Sequence, residues 1–240
     1  MEHEHSPEAI RARLAAGPRQ NYLRDWVYGG IDGAVTTFAV VSGVVGAQLS
    51  SGVILVLGAA NLLADGFSMA ASNYLATKAE REDAEHLAAI ENHHVSADPE
   101  GEREEVRQIF RAKGLEGEEL RRVVELVTAD RGVWVRTMLT EEYGLPWKIR
   151  SPWRAGLSTF SAFLACGLVP LVPFVVGAPD AFRLAAVLTG GVFFAIGSAK
   201  SRWSTVSWWR SGLETVTVGS IASALAYGVG ILLRAFAQAA

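Results

Sequence analysis

One cysteine, Cys166, stands in a chain of 240 residues. A lone thiol excludes an internal disulfide and any zinc site built from cysteines, and its apolar neighbours give it a packing role. Methionine is scarce too, at 3, so a thioether near a charged group carries information. Charged residues make up only 20%, and a net charge of −3 offers no basic patch for nucleic acid. No phosphate-binding glycine loop and no nucleophile–base arrangement appears, which argues against an enzyme. The opening MEHEHSPEAIRARLAAGPRQNYLRDW is charged and lacks an apolar h-region, so no cleavable secretory signal is expected. Within it, His3 and His5 with Glu2 and Glu4 could chelate a metal, but a disordered tail is the expectation.

What is present is apolar and unevenly spread. Half of the chain is hydrophobic, at 50%, with mean hydropathy +0.22. Of 25 acidic residues, 17 fall between Lys78 and Arg150, together with 12 of the 22 basic ones. The remainder is apolar and glycine-rich. A bilayer core needs about 20 apolar helical residues, and the segments Val27–Leu49, Val53–Ala76, Ala155–Gly177, Ala181–Ala199 and Leu213–Leu233 qualify. Pro170 and Pro173 should kink the third. Buried helices of a soluble protein rarely run this long without a polar face. The expectation is an all-α membrane protein of five transmembrane helices with a cytoplasmic helical insert between the second and third. The chain then divides into an N-terminal segment 1–26, helices 27–77, an insert 78–150 and helices 151–240.

Basic residues orient the spans. Arg11, Arg13, Arg19 and Arg24 precede the first; Lys78, Arg81, Lys148, Arg150 and Arg154 flank the insert; Lys200, Arg202 and Arg210 lie between the fourth and fifth. The turns QLSSG and APDAF carry no basic residue. This alternation places the N-terminus and 78–150 in the cytoplasm and the C-terminus outside. Trp26, Trp147, Trp153, Trp203, Trp208 and Trp209 fall at the inferred cytoplasmic ends, as interfacial aromatics do.

The insert reads as helices. Lys78–Asn92 continues the second span without a breaker, and Asp98-Pro99 is an N-cap followed by proline at the first helical position. Gly114 closes that helix. Glu118–Asp130 and Arg131–Tyr143 form one or two more, ended by Gly144 and Pro146. The apolar residues Val106, Ile109, Phe110, Leu120, Val123, Val124, Leu126 and Val127 make a thin core that calls for a partner.

Polar residues inside the spans are costly, at about 2.5–3.5 kcal/mol or more for an ionisable group. Asn61, Asp65, Ser68 and Ser72 share one helical face, bordered by Met69. The first span offers Asp32, with Thr36 one turn on, among Gly29, Gly30, Gly33 and Gly43, small residues that admit a close neighbour. Asn61, Ser68 and Ser72 could simply hydrogen-bond neighbouring helices; Asp32 and Asp65 are expensive as glue and point to function. Carboxylate oxygen beside thioether sulfur suits a divalent transition metal over Mg²⁺ and Ca²⁺, and a carboxylate can take a proton when its metal leaves. Glu214, near the start of the fifth span, either serves the same path or pairs with Arg210. In the insert, Glu91-x-x-His94 and Glu102-x-x-Glu105 set ligand types at i, i+3, and Met138 and Glu142 at i, i+4. Such spacings also arise on a solvated charged face.

The segments YGGIDGAVTTFAVVSGVVGA (28–47) and NLLADGFSMAASNYLATKAERE (61–82) resemble the two signature spans of the vacuolar iron transporter family. The resemblance covers nearly the whole chain, including the closing GLETVTVGSIASALAYGVG (212–230). It implies a homodimeric Fe²⁺/H⁺ antiporter that exports iron from the cytosol, often with Mn²⁺ as a second substrate, and no prosthetic group. It implies that Asp32 and Met69 bind the transported metal, and that Glu91, Glu102, Glu105, Met138 and Glu142 fall on ligand positions of a cytoplasmic metal-binding domain. His94 stands where a glutamate is usual, Leu139 where a second methionine can occur, and Asn61 where an acidic residue can line the path.

The expected function is therefore proton-coupled export of Fe²⁺, possibly Mn²⁺, through the bilayer, with 78–150 gathering metal for the pore. Without a nucleotide site, such transport would run on an ion gradient. The alternative is a membrane-anchored metal sensor or storage protein without flux. A di-iron oxidase would need a second Glu-x-x-His and four long helices, and the insert is too short for those within one chain. The Ala/Gly/Arg-rich composition suggests a bacterial plasma membrane.

Overall fold

The computed structural model describes residues 4–17, 20–146 and 148–239. Glu2, His3, Arg19 and Trp147 lie outside these, as does the side chain of Trp203. Among the described residues every regular element is helical: α1 (Pro7–Ala16), α2 (Leu23–Gly46), α3 (Ser51–Ala97), α4 (Pro99–Ala112), α5 (Gly117–Thr128), α6 (Arg131–Glu141), α7 (Pro152–Gly167), α8 (Val172–Val175), α9 (Ala181–Lys200) and α10 (Trp208–Ala239). Five stretches are long and apolar enough to cross a membrane: Leu23–Gly46, Ser51–Ala97, Pro152–Val175, Ala181–Lys200 and Trp208–Phe236. The chain is an integral membrane protein. Trp26, Trp153, Trp208 and Trp209 are exposed at or near the ends of these stretches.

Helix α3 runs for 47 residues because nothing from Ser51 to Ala97 breaks it. It stops at Asp98, which the following proline bars from helical geometry and which sits at φ −139° and ψ 73°. The Asp98 side chain accepts from Gly101 N at 3.0 Å, capping α4. The third span departs from the expected kink. It breaks: α7 ends at Gly167, a 3₁₀ turn covers Val169–Leu171, and α8 is one short turn. Pro170 and Pro173 each remove a backbone donor and crowd the preceding turn, so together they interrupt the ladder.

By contacts, the chain divides into two compact units, Asn21–Leu75 with Pro152–Ala240, and Met1–Gln20 with Ala76–Ser151. In the first, glycines set how closely helices approach. A Cβ on Gly29 would lie 2.3 Å from Thr159 O, and one on Gly33 2.4 Å from Phe163 O, so α2 and α7 touch backbone to backbone. On another flank a Cβ on Gly46 would lie 2.5 Å from Tyr227 O, and one on Gly230 2.2 Å from Gly43 O, which brings α10 against α2. The glycine face of the first span is thus filled within the chain and supplies no motive for pairing two copies. Phe38, Val41, Ile54, Leu62, Phe163 and Leu171 bury together, and Cys166 packs with Ala34, Phe193 and Ile196.

A buried polar junction accompanies this packing. Asn73 Nδ2 lies 2.9 Å from Asp25 Oδ1, 2.8 Å from Thr159 Oγ1 and 3.3 Å from Ala155 O. It links α3, α2 and α7 where a lone amide would be costly.

In the second unit, α3 beyond Ala76 meets α4, α5 and α6 around Val95, Val106, Leu120, Val124, Trp134, Val135 and Met138. Leu126, expected in this core, is 65% exposed, because α5 turns Leu120 and Val124 inward instead. Arg131 donates from Nε to Asn92 Oδ1 at 3.0 Å and from a terminal nitrogen to Ser96 Oγ at 2.7 Å, clamping the start of α6 to α3.

Candidate functional site

Two groups of polar side chains stand apart from ordinary surface, one in each unit. In the membrane unit, Thr36 on α2 accepts from Asn61 Nδ2 on α3 at 3.4 Å, and its own hydroxyl donates back to Asp32 O at 2.9 Å. Asp32 is half-buried, and the charge of Asp65 acts on it from α3. Asp32, Thr36 and Asn61 therefore line one seam between the two helices, and Asp65, exposed on α3, acts on Asp32 through its charge. Met69, one helical turn past Asp65, is half-buried against the apolar cluster around Phe163. Asn61 does bond a neighbouring helix, whereas Ser68 and Ser72 are exposed. Glu214 stands apart on α10. Its carboxylate lies 3.6 Å from Lys200 Nζ, while the Arg210 guanidinium covers the Trp209 ring at 5.1 Å.

In the other unit, Glu91, His94 and Glu102 bring one ligand atom each to within 4.8 Å of one another. His94 Nδ1 is 3.7 Å from Glu91 Oε1 and 3.5 Å from Glu102 Oε1. The i, i+3 step on α3 aligns Glu91 and His94, and the Asp98 turn swings α4 back so that Glu102 faces them. Both carboxylates are almost wholly buried, yet Glu91 Oε2 and Glu102 Oε2 have no hydrogen-bond partner. Orphaned buried carboxylate oxygens are costly unless something positive meets them.

The charges around this triad are mostly alike. Burial, with Glu105 and Glu91 nearby, pushes the Glu102 carboxyl up to about 7, against a smaller opposing pull from His94. Burial and the same two neighbours also raise Glu142. Glu105 and Glu142 thus act on the triad electrostatically from exposed positions. Met138 is fully buried in the apolar core of this unit. Mixed oxygen and imidazole donors suit a first-row divalent ion such as Fe²⁺, Mn²⁺ or Zn²⁺.

Sequence reasoning missed Tyr143, treated only as a helix end. Its hydroxyl donates to Glu91 Oε1 at 2.9 Å, and burial with that bond pushes its pKa up to about 12. It also missed Asp25, set outside the first span, and its partner Asn73. No local spacing signals either contact.

A half-buried carboxylate on a seam between membrane-length helices, together with two buried glutamates beside an exposed histidine in a separate unit, marks a membrane protein with candidate metal ligands. Residues 23–231 match the VIT family model. The Vacuolar iron transporter of Toxoplasma gondii is 33% identical over 226 residues, 89% of this chain and 75% of that protein. Vacuolar iron transporter 1 of Arabidopsis thaliana is 33% identical over 210 residues, 85% of this chain and 83% of the relative. Vacuolar iron transporter 1 of Oryza sativa subsp. japonica is 30% identical over 232 residues, covering 95% and 89%. The chain belongs to the VIT family.

Proposed function

We propose that this protein carries Fe²⁺, with Mn²⁺ as a second substrate, across a bacterial plasma membrane and out of the cytoplasm in exchange for protons. The observation that carries the reading is the α2–α3 seam, where half-buried Asp32 lies one turn from the Thr36–Asn61 hydrogen bond within the bilayer-length part of the chain and the charge of Asp65 acts on it. Carboxylates there are expensive unless a cation or proton uses them. The names of the relatives supply iron as the metal.

Asp32 oxygen and Met69 sulfur hold the metal, while Asp65, Asn61 and Thr36 line its route. A cation leaving Asp32 is replaced by a proton, which couples the two flows. The basic residues flanking the spans support a cytoplasmic N-terminus and a cytoplasmic 78–150, with the C-terminus outside. Glu91, His94 and Glu102, assisted by Glu105, Met138 and Glu142, capture metal on that side. Two copies pair, so that half-buried Asp32 and Met69 of each chain face a shared cleft.

Proteoliposome flux with Fe²⁺ and Mn²⁺, read together with internal pH, tests this. Wild type should move metal and protons in opposite directions, and Asp32→Ala or Met69→Ala should cut flux at least tenfold. Metal binding without flux in wild type would return the anchored sensor or storage reading.

A further inference from the structure

We infer that Tyr143 is a positioning residue for metal capture, acting through Glu91 rather than touching the ion. The inference rests on the reading of Glu91, His94 and Glu102 as a metal-capture site and names a part of that site which no ligand spacing reveals.

The Glu91 oxygen that faces His94, Oε1 at 3.7 Å from Nδ1, is also the one that carries the tyrosine. Oε1 accepts the Tyr143 hydroxyl at 2.9 Å, and Oε2 is buried with no hydrogen-bond partner. The Glu91 side chain is 2% exposed, so water has little access to either oxygen. A carboxylate held at one oxygen has its plane fixed. Oε1 then keeps its place relative to His94 Nδ1, which Glu102 Oε1 approaches at 3.5 Å, and the unpartnered Oε2 keeps its direction with it. Partners one shell out do this for metal-bound carboxylates and imidazoles generally, and their loss costs about 10–100-fold in affinity.

The chain builds this contact deliberately. Glu91 and Tyr143 are 52 positions apart, and Tyr143 lies just beyond α6 on a segment with its own lock. Glu142 N donates to Met138 O at 2.9 Å, Leu145 N reaches back to Leu139 O at 3.0 Å, and Gly144 takes φ +66°. Met138, the anchor of that turn, is fully buried. The backbone of Tyr143 is therefore set by a helix-ending motif that needs glycine at 144, and only its phenol reaches the cluster. Phenylalanine keeps the ring and the turn and removes the donor alone.

The test uses the full chain in detergent with Asp32→Ala as the parent, so that the intramembrane pair does not contribute, and Co²⁺ as the probe. Affinities are measured for the parent and for added Tyr143→Phe, Glu91→Gln, and both. Tyr143→Phe should weaken Co²⁺ binding about tenfold or more, and should change it less than about twofold once Glu91 is glutamine, the non-additivity expected of residues acting as one unit. Parent-like affinity in Tyr143→Phe, with loss in Glu91→Gln, overturns the inference and leaves the capture site standing. An equal loss in both backgrounds also overturns it, since a phenol that ligates the ion directly would behave so. If Glu91→Gln and Glu102→Gln bind Co²⁺ as the parent does, the capture reading itself falls.

Discussion

Asn73 donates to the Asp25 carboxylate at 2.9 Å and thereby fastens α3 to the first turn of α2. The same amide reaches Thr159 on α7, so one side chain joins three membrane-spanning helices. Asn73→Ala should lower stability by about 1–2 kcal/mol, and Asn73→Asp by more, because it sets a second carboxylate beside Asp25. Thermal unfolding of the detergent-solubilised protein reads both. Equal melting temperatures for wild type and Asn73→Asp would contradict the junction.

Glycines should divide sharply by what a methyl would meet. At Gly33 it would run into the Phe163 carbonyl at 2.4 Å, a backbone atom that cannot swing away, whereas at Gly190 nothing lies within 4 Å. Gly33→Ala should sharply reduce the yield of monodisperse protein. Gly190→Ala should melt at or above the wild-type temperature, since alanine is the better helix former. Size-exclusion profiles and melting curves on the pair decide the point.

Metal capture should switch on near neutral pH. Glu102 is held up to about 7, and a carboxylate must lose its proton to bind metal. Co²⁺ affinity should therefore rise as pH climbs from 6 to 8, and the rise should flatten in Glu102→Gln. The metal-free protein should respond in the opposite sense. The folded state holds the Glu102 proton more tightly than the unfolded chain, whose carboxyl titrates near 4.5. This contribution to stability is complete below about 4.5 and declines as pH rises toward 7. Melting curves at pH 5 and 8, with and without Co²⁺, check both signs.

The Lys200–Glu214 pair should matter little to folding. Its side chains are 43% and 68% exposed at 3.6 Å, and pairs of this kind contribute about 0–1 kcal/mol. Glu214→Gln should melt within about 2 °C of wild type. A large loss of stability would show that the contact is stronger than its exposure implies.

The spans and the Asp98-Pro99 cap were readable in advance because they depend on runs of apolar residues and on the local chemistry of one dipeptide. The Glu91/His94 alignment was readable for the same reason: three residues along a helix bring side chains to one face. What the chain order hid was helix rotation. Apolar Leu126 points outward, Glu214 finds Lys200 rather than Arg210, and the glycines of α2 are spent on α7 and α10. Tyr143 and Asn73 were hidden more deeply, since each meets a partner tens of positions away. The two prolines of the third span were seen, but their combined effect is a break where each alone would bend.

Because α2 is pinched by main chain on two flanks, with α7 at Gly29 and Gly33 and α10 at Gly43 and Gly46, it has no room to roll about its axis. A carrier must nonetheless open to one side and then the other. With α2 packed so closely, the proposed alternation falls either to the α3 face across the seam or to α2, α7 and α10 tilting as a single block. On the transport reading proposed above, Asp32 is a stationary post past which the gate swings.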